Sequence, residues 1–441
     1  MTGKDTLRYL NSPGGEALFA PLYGPSAAAR ERQRYAVLAD GVAAGNPRLF
    51  SAPGRTELGG NHTDHNRGRV LAAAIQMDAA AAVVPRGDRT VFFRSTGFPD
   101  VLVSLDGPDG KPDLSPKPEE RGKTESLVRG IASGFADRGV EVGGFSANAS
   151  STVLPGSGLS SSAAVEVLIA KIFDCLYGGG RCSAVELARI CQQAENAFFG
   201  KPCGLMDQAA SACGGAVAID LADPSSPQVR RIGFDPKAAG YALCVVNTRG
   251  SHSDLTPDYA AIPQEMGDVA RFFGKSFLNE IDLPQLLSAA PEVRKIAGDR
   301  ALLRAIHFFN ENGRADAMAA LIEELAAAAE PQKSGILGRF LDIVNESGDS
   351  SWELLQNMYS ARNPREQGLS LALAASREFF REHGLRAACR VHGGGFAGTA
   401  QAYVPAEALE GYRSRMDALF GPGSLAELCI RPVGAVEIAP C

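Results

Sequence analysis

Apolar residues fall along this chain in two rhythms. Short solid runs at residues 70–75, 79–84 and 241–247, and alternating stretches at 90–94 and 144–153, have the length and spacing of strands. Runs at 214–221, 387–391, 399–404 and about 427–438 predict further strands. Helical spacing appears at 27–44, within a polar first 50 residues, and again at 125–138, 163–176, 183–199 and 205–213. Alanine- and leucine-rich helices are expected through most of 258–385, and one more at about 406–419.

Between these elements lie stretches without apolar rhythm. Residues 106–124 are rich in proline, glycine and charge and predict a surface loop. Residues 223–236, with Pro224, Pro227 and Pro236, predict a linker. Residues 52–71 are so dense in polar side chains that they read as a loop and not as a core element. The mixed order of helices and strands predicts an α+β protein of two domains, 1–235 and 236–441, with no internal repeat. Residues 280–385 carry no chemical pattern and read as structural.

Composition narrows the function classes. The 441 residues are 45% hydrophobic and 21% charged, with net charge -6, an ordinary globular balance without the basic footprint of a nucleic-acid binder. No run approaches the ~20 apolar residues of a membrane span. Met1 to Leu10 has no apolar run of signal-peptide type. The nine cysteines are scattered, with no Cys-x-x-Cys pair, which predicts reduced thiols and a cytoplasmic setting.

The first candidate chemistry is the glycine–serine stretch 153–164, placed between a predicted strand and a predicted helix. Gly156 and Gly158 allow close backbone approach. Ser160, Ser161 and Ser162 offer hydroxyls, and the helix start adds N–H groups and its positive dipole end, a combination suited to phosphate. A serine-capped turn is the competing reading. No lysine follows the glycines as in a Walker loop, and the third glycine of a dinucleotide fingerprint is missing. Gly393, Gly395 and Gly398 fail as such a fingerprint too, because a strand follows them; they predict a tight turn near a ligand.

The polar stretch 52–71 offers many short donors and acceptors, as a hydroxyl-rich ligand requires. Its competing readings are a solvated loop and a metal site from His62, Asp64 and His65. Glu195 and Asp207 lie twelve positions apart across the glycine break at 200–204. A kinase needs one carboxylate near magnesium and another near the accepting hydroxyl.

Together these stretches resemble the galactokinases, within the GHMP group of small-molecule kinases. Residues 53–71 are similar to the galactokinase signature, 154–164 to the group's phosphate loop and 392–399 to its glycine-rich C-terminal motif. The stretch Cys203-Gly204-Leu205-Met206-Asp207-Gln208 matches as well. The resemblance implies two α+β domains, the first like domain 2 of ribosomal protein S5 and the second ferredoxin-like, with the active site between them. It implies transfer of the γ-phosphate of ATP to the anomeric hydroxyl of a small sugar, galactose first. Asp207 would be the base, and Arg55 would stabilise the transferred phosphate. Ser162 and Glu195 would hold Mg2+. Asn61, His62, Thr63, Asp64 and Tyr259 would contact the sugar. Pro155, Gly156, Ser157, Gly158, Leu159, Ser160, Ser161 and Ser162 would cradle the nucleotide.

Three positions depart from the family pattern: Asn61 stands where it has Glu, Glu57 where it has Asn, and His65 where it has Tyr. An uncharged Asn61 leaves galacturonate open as a substrate, with arabinose and N-acetylgalactosamine behind it. A silent sugar sensor and a kinase for a non-sugar alcohol remain the other classes. The expected partners are the sugar alone, with no nucleic acid and no membrane, in a monomer or weak dimer.

Overall fold

The computed structural model describes residues 13–42, 45–153, 156–201, 203–250, 255–329 and 331–438. Pro155, expected at the phosphates, lies outside the described residues, as do Ala43 and Ala44 of the first expected helix. In chain order the elements are α1 (Pro13–Tyr23), α2 (Pro25–Asp40), β1 (Arg48–Gly59), β2 (Arg69–Pro85), β3 (Thr90–Ser95), β4 (Val101–Ser104), α3 (Thr124–Ala136), β5 (Phe145–Ser151) and α4 (Ser161–Leu176). There follow α5 (Ala184–Gln193), α6 (Met206–Cys213), β6 (Ala216–Asp220), β7 (Gln228–Ile232), β8 (Tyr241–Asn247), α7 (Thr256–Phe272), α8 (Leu283–Ser288), α9 (Ala290–Ala297), α10 (Asp299–Ala327) and α11 (Gln332–Ser350). The chain closes with α12 (Gly368–Glu382), β9 (Ala388–Val391), β10 (Thr399–Pro405), α13 (Leu409–Phe420), β11 (Leu425–Leu428) and β12 (Val436–Ile438).

The architecture is α+β, built on two sheets. The larger runs β12-β1-β2-β5-β3-β4, with β6 and β7 continuing beside the first part of β2. The smaller is antiparallel, in the order β11-β8-β10-β9. The last strand, β12, pairs with β1 and so returns the chain to the first sheet. No described helix is long and apolar enough to cross a membrane.

Strand β2 shows why the alanines matter. Ala79, Ala81 and Val83 face the main core, while Ala80 and Ala82 lie under Phe19 and Tyr35 of α1 and α2. Both faces are covered, so both alternating sets are apolar and small, and helices approach closely. The two strands expected at 70–75 and 79–84 are therefore one. The polar residues between them do not break it, because their groups are paired: Gln76 Nε2 donates to Glu427 O at 3.0 Å, and Asp78 accepts from Tyr23 Oη at 2.5 Å.

Three further expectations are corrected, and one strand is added. Residues 52–59 are not loop but the end of the buried strand β1, whose polar side chains are satisfied internally. The expected linker 223–236 contains β7, paired along β6. The helix expected over 183–199 ends at Gln193 and continues as a single π turn, Ala194–Phe199. Strand β4 carries only four residues at a sheet edge, too short to show in the pattern.

Candidate active site

The phosphate loop has the shape its composition implies. Gly156, Gly158 and Ser160 alternate in the left-handed region at φ 72°, 70° and 57°. Alternation of that kind turns successive N–H groups toward one side, as in an anion nest. Ser160 is the cap residue of α4, Ser161 opens the helix, and Ser162 is exposed on its first turn. Leu159 is buried, and its carbonyl accepts the backbone N–H of Arg55 at 3.0 Å.

A strut from the second sheet holds this loop against β1. Thr399 Oγ1 donates to Ser157 O at 2.8 Å, and His392 Nδ1 bonds Thr399 Oγ1 at 3.0 Å. The Glu57 N–H donates to His392 Nε2 at 3.3 Å, which fixes that nitrogen as acceptor and leaves Nδ1 to carry the proton. Burial holds His392 well below its ordinary pKa, so the strut is neutral. The C-terminal motif thus acts by bracing the phosphate loop.

Arg55, on β1, is held in the same place. Its Nη1 donates to Gly158 O, and its Nε donates to Asp207 Oδ1 at 2.7 Å. The second oxygen of Asp207 accepts from Ser160 Oγ. Asp207 lies in the first turn of α6, and its side chain remains 34% exposed. Burial pushes its carboxyl up, but the Arg55 charge and the bonds from Arg55 and Ser160 outweigh this and hold it below the usual aspartate value.

Glu195 lies beside this group on the π turn and is 4% exposed. Gln208 Nε2 donates to Glu195 Oε2 at 2.9 Å and to Glu166 Oε2 at 3.1 Å. Burial and the neighbouring Glu195 raise Glu166 to about 8. The other oxygen of Glu195 accepts from Lys201 Nζ at 3.0 Å.

The expected sugar residues form a second group, around the glycine turn at 393–395. His62, at φ 57°, donates from Nε2 to Gly394 O at 2.9 Å, since a carbonyl only accepts. Its Nδ1 is left as a buried acceptor without a partner, and burial drives the ring's pKa down to about 3. Tyr259 Oη donates to Gly395 O at 3.0 Å, and Tyr259 packs edge-on against Phe396. Asp64 lies against Gly204, where a Cβ would overlap Asp64 Oδ2. Thr63 Oγ1 is used by its own loop: its single proton is shared between Gly60 O at 2.9 Å and Arg69 O at 2.6 Å.

Asn61 is fully buried, and each of its amide atoms has a protein partner. Its Nδ2 donates to Glu57 at 3.0 Å and Gly393 O at 2.7 Å, and its Oδ1 accepts from Asn357 Nδ2 at 3.0 Å. Glu57 in turn accepts from Arg390 in a buried ion pair. Burial, against the Arg390 charge, raises Glu57 to about 7.

The region read as structural contributes to this loop. Glu311 Oε1 accepts from the backbone N–H of Gly60 at 3.1 Å and of Asn61 at 3.4 Å. His307 Nε2 bonds Asn61 O at 2.9 Å. Both residues lie on α10, one turn apart and completely buried. That i, i+4 spacing of a histidine and an acid was the one signal available; distance in sequence hid what they hold. Among the described residues, no cluster of three or more His, Cys, Asp or Glu side chains is placed to hold a metal. His62, Asp64 and His65 do not form one.

Comparison with known proteins agrees with this arrangement. Residues 126–215 match the model of the GHMP kinases N terminal domain, and residues 42–85 the galactokinase galactose-binding signature. The galactokinase of Streptomyces coelicolor is 34% identical over 297 residues, 67% of this chain and 72% of that protein. The galactokinase of Glaesserella parasuis serovar 5 is 31% identical over 366 residues, 82% of this chain and 86% of that one. The crystal structure of Lactococcus lactis galactokinase complexed with galactose superposes with a TM-score of 0.71 at 22% identity, covering 89% of this chain and 95% of that one. On these matches the chain belongs to the galactokinase family of GHMP kinases.

Proposed function

We propose that this protein transfers the γ-phosphate of ATP to the anomeric hydroxyl of galactose. The observation that carries the reading is the junction of Arg55, Asp207 and the glycine–serine loop: one guanidinium spans a loop carbonyl and the Asp207 carboxylate. In the reaction the sugar O1 forms a bond to the γ-phosphorus while the bond from that phosphorus to the β,γ-bridging oxygen breaks. The O1 proton passes to Asp207, and ADP leaves. A carboxylate held below its ordinary pKa is a weak base, so it takes the proton late, once the oxygen is already bonding to phosphorus. Arg55 offsets charge on the transferred group, and its fixed position means little reorganisation at that moment.

The left-handed loop at 156–160 and the start of α4 bind the phosphates. Ser162 and Glu195 fit a magnesium ion, since one exposed hydroxyl and one carboxylate, completed by phosphate oxygens, is a usual oxygen donor set. When bound, that ion offsets charge on the phosphate oxygens. His62 Nδ1 and Asp64 accept hydrogen bonds from the sugar, and Tyr259 shapes the wall beside them. Asn61 acts indirectly, by fixing the loop through Glu57 and Asn357.

The test is incubation with γ-labelled ATP and galactose, arabinose, galacturonate or N-acetylgalactosamine. Label is expected on galactose at C1 and is not expected on 1-O-methyl galactoside. Transfer to no sugar overturns the reading, and faster transfer to galacturonate overturns the choice of substrate.

A further inference from the structure

Burying a carboxylate is costly unless a counter-charge or hydrogen bonds offset it. For Glu195 that charge comes from Lys201, the one cation bonded to it among the described residues. The contact is built by the backbone. Gly200, at φ 85°, turns the chain so that the N–H groups of Gly200 and Lys201 both donate to Glu195 O, at 2.9 and 3.2 Å. The lysine stem then folds back, and Nζ reaches Glu195 Oε1, the oxygen that Gln208 leaves free. The side chain is nevertheless 62% exposed, so it sits at the mouth of the site and has room to swing.

A second cation stands at the same mouth. The Arg121 guanidinium lies directly over Gly200, where a Cβ would overlap Arg121 Nε. Arg121 has no ion-pair partner among the described residues. Two basic side chains thus border Gly200, Arg121 packed over it and Lys201 following it, and only Lys201 is paired with an acid among the described residues.

We propose that Lys201 occupies the cation position on Glu195 in the metal-free enzyme and, when displaced by the divalent ion, becomes a contact for the nucleotide's terminal phosphates together with Arg121. This rests on the reading of Glu195 as a metal ligand. An ammonium on Oε1 and a divalent ion on the same carboxylate repel each other at close range, so metal binding disfavours the lysine contact. Metal entry therefore releases a tethered cation close to where phosphate charge arrives. The arrangement couples metal binding to phosphate binding.

The test uses the full chain as wild type and as Lys201→Met, Lys201→Arg and Glu195→Gln. Mn2+ binding to the protein alone is followed by electron paramagnetic resonance, and ADP binding in the presence of Mn2+ by calorimetry. Lys201→Met is expected to bind Mn2+ alone about fivefold more tightly and ADP with Mn2+ about tenfold more weakly. Lys201→Arg is expected to restore most of the ADP affinity. Opposite signs in one variant do not arise from general structural damage. If Lys201→Met leaves both affinities at the wild-type value while Glu195→Gln loses Mn2+, the lysine is a surface ion pair and the proposal falls alone. If Glu195→Gln binds Mn2+ as the wild type does, the metal assignment beneath it falls.

Discussion

Arg55 Nε and Asp207 Oδ1 meet at 2.7 Å across 152 positions of sequence. One residue comes from the buried strand β1 and the other from the first turn of α6, and Ser160 of the phosphate loop closes the triangle. The same ion pair sets the charge of the candidate base and the position of the candidate phosphate-stabilising group, so the two roles are coupled.

Replacement Asp207→Asn tests the base directly. It keeps the volume and a hydrogen-bonding group for Arg55, so the melting temperature is expected to move little. Turnover is expected to fall roughly 100- to 10,000-fold, the usual worth of a positioned proton acceptor. Near-normal turnover removes Asp207 from that role.

Gly204→Ala probes the sugar side without touching a reacting group. The added Cβ overlaps Asp64 Oδ2, so the carboxylate must move. The KM for galactose is expected to rise on the order of tenfold or more, with the KM for ATP unchanged. Steady-state kinetics with each substrate varied in turn distinguishes this from a general loss.

Glu311 links acid stability to the sugar loop. Burial opposes its ionisation, yet His307, Arg314 and Arg390 and the bond from Ser347 hold its pKa down to about 2. Because the folded value is depressed, the stability it adds is complete above the ordinary glutamate range and is lost as the pH falls toward 2. Glu311→Gln is expected to be less stable at pH 7, on the order of 3 kcal/mol, with the gap closing between about pH 4.5 and 2. Urea melts at several pH values measure it; a gap independent of pH contradicts the assignment.

The Glu57–Arg390 pair is buried at both ends, with side chains 3% and 0% exposed. Arg390→Met alone strands a carboxylate and is expected to cost about 3–5 kcal/mol of stability. The double variant Glu57→Gln with Arg390→Met is expected to recover part of that loss. Chemical denaturation of the three variants checks the order.

Much of this site was legible from local pattern. Gly156, Gly158 and the serines announced a left-handed turn into a helix start, because such backbone is a property of a few consecutive residues. Asp207 and Glu195 stood out as candidates for the same reason, because they flank a glycine break. What pattern did not reveal were partners far away in sequence. Residues 52–59 looked like loop because polar side chains in a strand signal exposure unless their partners, His392 and Arg390, are known. Likewise α10 looked inert, although Glu311 and His307 hold Gly60 and Asn61.

The sequence by itself determined the α+β class, the left-handed turn before α4 and the family motifs, since each depends on short-range spacing that steric and hydrogen-bonding rules convert into local structure. Tertiary structure alone decided that β1 is buried, that β12 rejoins the first sheet, and that Asn61 is locked in protein contacts. Those outcomes depend on which polar groups find partners when distant segments pack. A buried hydrogen bond costs or stabilises according to both of its ends.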